Sequence, residues 1–254
     1  MDFNYLVHYG MPRRSGRYPW GSGKRPKQRF NYIKEKGADR KKNLIKEQLG
    51  YDVDRKVFLK SNPDASKSVF KNKGNKVYHI TPKKFNKLNK GQDLFISATE
   101  KDRDTYKSFL SLMMMHKGFK SIKEVEFTLK KDLKSPNNKE QKDIFKSVYN
   151  QNKKIFDNDL NEYYQNGATR PKSVYDSFIK TLDKSGESKK IFYKAIKSKG
   201  YNAVLDQHDV NGSWMQASSP LIVMDALSMI GDIKINKVSK KDIKDSLKRL
   251  KVID

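Results

Sequence analysis

The sequence predicts an α+β fold in which an extended basic N-terminal arm leads into a domain of mixed helices and short strands. Three observations carry that expectation. Segments with a 3.6-residue apolar period and segments of strict alternation both occur, without the regular strand–helix alternation of a doubly wound parallel sheet. The first 29 residues fit neither pattern. The chain has 254 residues, 35% of them hydrophobic, which is enough for one sizeable core although there is no cysteine to cross-link it. The divisions that follow are residues 1–29 as a docking arm, 30–75 as a helical linker region, 76–230 as the α+β domain and 231–254 as a C-terminal helix.

The arm has no acidic residue between Asp2 and Glu35, whereas Arg13, Arg14, Arg17, Lys24, Arg25, Lys27 and Arg29 fall inside that interval. Glycine and proline recur too often for a long helix or a central strand. Too few aliphatic residues are present to offset the entropy of ordering that backbone. Such an arm gains order from a partner, and the alternative is a solvated tail. Arginine forks and the aromatic faces of Tyr9, Tyr18 and Trp20 suit a polyanion or an acidic protein surface.

Phe30 to Leu49 then reads as a basic helix with Ile33, Leu44, Ile45 and Leu49 as sparse apolar positions and Gly50 as its left-handed cap. The stripe is thin, as in a surface or partner-binding helix. Val77–Ile80 and Leu94–Ser97 are short β-branched or apolar runs bounded by turn residues and read as strands. Glu100 to Lys117 is a helix with Tyr106, Phe109, Leu110, Met113 and Met114 on one side, the methionines as core filling. In Ile122 to Leu129, Val125, Phe127 and Leu129 alternate with Glu124, Glu126 and Thr128, which predicts a strand with one wet face. Helices follow over Lys139 to Asn158, Pro171 to Leu182 and Ser188 to Ser198, then strands at Tyr201–Leu205 and Leu221–Asp225. The tail helix, Ser239 to Leu250, opens with Ser239 and Asp242 spaced as a capping box, and Ile243, Leu247 and Leu250 share a face.

Composition also excludes chemistries. Without cysteine there are no thiolate zinc sites and no cysteine nucleophile. No pair among His8, His79, His116 and His208 has the spacing that places two imidazoles on one helix face, so no metal site is expected, and Asp206, His208 and Asp209 read as a hydrated polar loop. No apolar run approaches the ~20 residues of a membrane-spanning helix, so a soluble chain with no membrane partner is expected. Fifty-five basic residues against twenty-nine acidic ones leave a net charge of +26. Spread as single lysines, that charge fits non-specific contact with double-stranded DNA better than base-edge readout.

The string Leu6 to Gly23, with its ordered His-Tyr-Gly, Pro-Arg-Arg-Ser-Gly-Arg-Tyr and Pro-Trp-Gly, resembles a short N-terminal motif of tailed-bacteriophage and prophage structural proteins, typically minor virion components from low-GC Gram-positive hosts. The resemblance implies a capsid-associated protein present in multiple copies per particle, at the capsid interior or the capsid/portal vertex, and in the host cytoplasm during assembly. Its partners would be capsid or portal proteins and packaged DNA. The residues expected to dock or to contact DNA are His8, Tyr9, Arg13, Arg14, Arg17, Tyr18, Trp20, Lys24 and Arg25.

A second resemblance covers Lys76 to Asp225. Tyr78-His79, Phe95-Ile96-Ser97-Ala98-Thr99, Gly200 to Asp206 and Ala217 to Val223 are similar, in order, to the segments of ADP-ribosyltransferase-like domains of phage proteins. It implies His79 as the basic residue toward the NAD ribose or phosphate, Ser97 and Thr99 as the hydroxyl motif, and a vestigial NAD pocket at Tyr78, His79 and Ser97. The glutamate of that family is missing, because no Glu or Asp stands between Asp209 and Asp225. A developing oxocarbenium charge would lack its partner. The expectation is a fold without competent catalytic residues and without a cofactor. The alternatives are an active, NAD-using transferase delivered with the phage genome to modify host proteins, and a nucleic-acid-binding protein with no virion role.

Overall fold

The computed structural model describes residues 26–254 apart from 60–64, 84, 86–87, 166–169, 172, 183, 185 and 213, and only the backbone of 26–33 and 211–212. The mixed α/β class is as the sequence predicts. The arm residues His8, Tyr9, Arg13, Arg14, Arg17, Tyr18, Trp20, Lys24 and Arg25 lie outside the described residues.

In chain order the elements begin with α1 (Pro26–Leu49), α2 (Lys56–Leu59), β1 (Val69–Lys71), β2 (Lys76–Thr81) and β3 (Leu94–Ser97). Helices α3 (Glu100–Thr105) and α4 (Ser111–His116) are joined without a break by a wide, π-type turn, Tyr106–Leu110. Then come β4 (Lys123–Leu129), β5 (Leu133–Ser135), α5 (Asn138–Gln151), α6 (Lys153–Tyr164), α7 (Val174–Ile179), α8 (Glu187–Ser198) and β6 (Ala203–Leu205). The chain closes with β7 (Pro220–Val223), α9 (Ala226–Met229), β8 (Ile230–Lys237) and α10 (Lys240–Arg249).

Six strands form one antiparallel sheet in the order β6-β7-β3-β2-β4-β8, and β1 pairs β5 in a separate ribbon. Alternation along each strand divides the core by face. Val77, Leu94, Ile96, Val125, Phe127, Leu221 and Val223 pack on one face with Leu88, Leu133 and the half-buried Phe85 and Val69. The opposite face carries two helical layers. One gathers Phe145, Phe156, Phe178 and Phe192 of α5–α8 over Val204 and Ile222. The other gathers Ala38, Leu44 and Ile45 of α1, Phe109, Leu112 and Met113, and Ile243 and Leu247 of α10 around Ile80. Phe95 of β3 touches both.

Several expectations are corrected. Helix α1 is not a surface helix, because its few apolar residues fall together and all three of Ala38, Leu44 and Ile45 are buried. From the 30–75 stretch, Ala38, Leu44, Ile45, Val53 and Phe58 are therefore core residues. The predicted wet face of β4 is covered at one end, where Glu124 is 7% exposed and Lys107, from the turn after α3, reaches it at 2.6 Å, while Glu126 and Thr128 stay partly exposed. The helix expected over Lys139 to Asn158 is two, broken at Asn152, whose backbone (φ −129°, ψ 29°) leaves the helical region. Residues 231–254 are not only a helix, since β8 comes first and pairs β4 over Lys123↔Lys237 to Phe127↔Ile233. Other readings hold. Gly50 has φ 79° and its N–H donates to the Lys46 carbonyl at 3.0 Å, as a left-handed cap requires. Ser239 and Asp242 form the reciprocal capping box. Met113 and Met114 are core residues. Among the described residues no helix is long and apolar enough to cross a membrane.

Candidate functional site

The residues singled out by sequence meet where β2, β3, β7 and α3 converge. Tyr78 of β2 lies opposite Ser97 of β3, the one ladder pair between those strands, and Ser97 in turn lies opposite Pro220 of β7. Paired residues share a face and chain neighbours do not. Tyr78 and Ser97 therefore point to the helical side, and His79 to the other. The side chains of Tyr78, His79 and Ser97 therefore do not all lie on one face of the sheet.

His79 is a strand histidine built into the sheet. Its Nδ1 is 2.9 Å from the Phe95 carbonyl, so Nδ1 is the donor, and its ring lies 6.2 Å from that of Phe85. The bond ties β2 to β3 where the ladder is sparse. Tyr78 is buried under α3, with the Arg103 guanidinium 4.9 Å from its ring centre.

Thr99 ends β3 and begins α3. Its extended backbone (φ −117°, ψ 154°) makes it the N-cap, and its Oγ1 accepts the Asp102 N–H at 3.1 Å while donating to Asp102 Oδ2 at 3.0 Å. The Asp102 carboxylate also accepts two backbone N–H groups, Ser218 on Oδ1 and Ser219 on Oδ2, both at 2.8 Å. Thus Thr99 and the 217–219 segment, more than a hundred residues apart, are stitched together through one buried carboxylate. This is a carboxylate from a different part of the chain, at the segment where the sequence has none.

Further acids stand behind it. Tyr106 donates to Asp209 Oδ2 at 2.6 Å, and burial first, then the Asp209 charge, pushes its phenol well above its ordinary pKa. Tyr106 is held protonated, as a donor. Asp206 Oδ1 accepts the His208 N–H at 2.9 Å, and the Asp209 carbonyl accepts the Ala217 N–H at 3.0 Å. Lys41 of α1 completes the clamp, its Nζ donating to the Met215 carbonyl at 3.0 Å. The loop between β6 and β7 is thereby pinned to α1 and α3 at several points.

Chemically, this arrangement is an anchor. The Asp102 oxygens are occupied by three donors, which fix the position of the carboxylate between α3 and the 217–219 segment. Thr99, Ser218 and Ser219 remain half-exposed at its rim. No group of three or more His, Asp or Glu side chains among the described residues could hold a metal ion. Two hollows on the described surface lie elsewhere, one of about 320 Å³ beside β8 and one of about 450 Å³ between α1 and His116. Sequence reasoning found Thr99 and the 217–219 segment, missed Asp102 and the Tyr106 hydroxyl, and read Asp206, His208 and Asp209 as a hydrated loop, whereas Asp206 and Asp209 are buried by the packing of Tyr106 and the 215–217 segment against them. The spacing Thr99-x-x-Asp102 is a legible capping signal. Nothing local connects Tyr106 with a residue 103 positions later.

No protein-family model matches the chain, and neither a curated protein nor a solved structure matches it.

Proposed function

We propose that this chain is a minor structural protein of a tailed-phage particle, docked to the capsid or portal region through its basic arm and resting against packaged DNA. The observation that carries the DNA contact is the net charge of +26, together with its distribution. On α8, Lys190, Lys194 and Lys197 are exposed at spacings of four and three, one stripe of a helix. On α10, Lys240 and Lys248 are exposed two turns apart. Cations dispersed over separate helices suit phosphate neutralisation without sequence readout. The arm motif from Leu6 to Gly23 supports the virion placement.

The domain is read as an ADP-ribosyltransferase-like fold retained without transferase chemistry. Its four resembling segments occupy adjacent strands, β6, β7, β3 and β2, of one sheet. The groups that would serve NAD are committed elsewhere: His79 to the Phe95 carbonyl, Thr99 to Asp102. Such a domain spaces and orients rather than reacts.

The direct test is a titration of the full chain with double-stranded DNA at two salt concentrations. Neutralising six to ten phosphates predicts an affinity loss of about 10³- to 10⁵-fold between 50 and 200 mM salt. A flat salt response would remove DNA from the reading. Mass spectrometry of gradient-purified particles, before and after DNA release, tests the virion placement separately, and absence from both would remove it.

A further inference from the structure

The two edges of the sheet are finished differently. At β6 the edge is closed by a side chain: Gln141 Oε1 accepts the Leu205 N–H at 2.7 Å, and Gln141 Nε2 donates to the Leu205 carbonyl at 2.8 Å. The ribbon strand β5 adds Lys134, whose carbonyl accepts the Asn202 N–H at 3.0 Å. At β8 nothing comparable is found among the described residues. Its eight residues are the longest strand of the sheet. Ile233 and Ile235 are each 48% exposed, although the residues opposite them on β4, Phe127 and Val125, are fully buried. The apolar face of the sheet runs out under water at this edge.

The backbone of β8 is also turned to receive a strand. Val238 N–H donates to the Ile122 carbonyl at 2.8 Å, one step beyond the Lys123↔Lys237 pair. Inward-bonded residues alternate in an antiparallel ladder. Asn236 and Lys234 therefore bond to β4, while Ile235 and Ile233 aim their N–H and C=O groups outward. Such an edge is a template for another strand unless something blunts it.

We propose that a second copy of this chain docks on β8, antiparallel and about a two-fold axis through Ile233, so that two sheets become one. The charges of the strand select the copy and the register. Centred on Ile233, Asp232 of each chain stands opposite Lys234 of the other, giving two opposite-charge pairs. Centred on Lys234 or on Asp232, the same strand sets a like charge directly against itself, which is unfavourable. The chosen register also brings Ile235 of one chain beside Gly231 of the other. There the ladder shifts between Phe127 and Leu129, and the hollow of about 320 Å³ lined by Leu88, Leu227, Ile233 and the Lys130 stem lies open on the same face. Ile235 of the partner copy would then stand over that hollow, and the self-complementary patch is what an isologous dimer requires.

The test is sedimentation velocity of the full chain over a micromolar concentration series, in about 0.3 M salt to screen the net positive charge. The native chain is expected as a species of twice the 29.6 kDa protomer mass. Asp232→Lys or Lys234→Asp alone should weaken association roughly tenfold or more, because two favourable cross-strand pairs become two repulsive ones. Mixing those two variants restores opposite charges at both positions, so the mixture should dimerise where each alone does not. Ile233→Lys, at an exposed position, should give monomers with an unchanged circular dichroism spectrum. A native chain that stays monomeric, with the edge left to residues 1–25 or to solvent, overturns the proposal. So does a dimer that ignores both charge reversals.

Discussion

Two helical layers lie on the same face of the sheet and are held by different forces. The α5–α8 layer is aromatic: the Phe145 ring is 5.1 Å from Phe178, 5.3 Å from Tyr175 and 5.6 Å from Phe156, and Phe178 is 5.1 Å from Phe192. The α1–α4–α10 layer is threaded with buried charge. Asp104, 3% exposed, takes Arg249 Nε at 2.7 Å and Nη2 at 2.8 Å; Lys107 reaches Glu124 at 2.6 Å; and Lys41 sits between the rings of Phe58 and Phe109. Aromatic burial stabilises mainly through the area removed from water, and several ring arrangements, edge-to-face or offset-stacked, serve it. Buried charge is satisfied in one geometry only and gains little over an apolar replacement. One layer supplies cohesion, and the other fixes where the β6–β7 loop and α3 stand.

The largest effect is expected where cohesion is concentrated. Phe178→Ala removes the ring that joins Phe145, Phe156 and Phe192, and should cost about 3–5 kcal/mol in urea unfolding. A cost below 1 kcal/mol would mean the layer collapses onto the gap, and the cluster is then not a packed unit.

In the charged layer, Asp104→Ala should cost less, about 2–3 kcal/mol. Arg103 and Ser246 lose a buried acceptor, but the Arg249 side chain is half-exposed and recovers water. The variant should also loosen α10 selectively, seen as faster amide exchange in Ile243 and Leu247 than in α5–α8. Uniform exchange across both layers would show that they unfold together and that the contrast is only one of composition.

The two layers were unequally legible in the sequence. Regular apolar spacing marked α7 and α8 with Phe178 and Phe192 in their stripes, but over 139–158 it fell on Ile144, Val148 and Ile155, which are half-buried, while Phe145 and Phe156 fill the core. Helix α1 was misjudged because Lys41, a charged residue by type, is buried in the core beside Leu44 and Ile45. Likewise Glu124 looks like a wet position until Lys107 is brought to it from a different element. The short strands β1 and β5, three residues each, and the lysine-laced β8 are defined by pairing partners rather than by their own pattern. At the candidate site, Thr99 carries a cap signal three residues from Asp102, whereas the contacts of Asp102 with 218–219 and of Tyr106 with Asp209 exist only through the fold.

Lys41 gives the charged layer a pH signature that the aromatic one lacks. Burial lowers its ammonium pKa to about 7, against an ordinary value near 10.5. Between those values the unfolded chain binds the proton and the folded chain does not, so stability rises with pH. Raising the pH from 7 to 9 should add about 2 kcal/mol from this residue alone. In Lys41→Met that increment disappears, and stability at pH 7 is equal to or above the native value. An identical pH dependence in the two chains would place the Lys41 amine in water rather than between Phe58 and Phe109.

The smallest effect is one in which the layers should not differ at all. Each owns a helix opened by a reciprocal capping box, Asn137 with Glu140 on α5 and Ser239 with Asp242 on α10. A cap satisfies N–H groups of its own first turn, so its worth is set locally and not by what the helix packs against. Asn137→Ala and Ser239→Ala should therefore each cost about 1 kcal/mol, within a few tenths of one another. A much larger loss for Ser239→Ala would show that the entry of α10 is coupled to the ion pair of Arg249 and Asp104 nearer its other end. The charged layer would then be a single cooperative network in which the first turn of α10 and the Arg249–Asp104 pair are held or lost together.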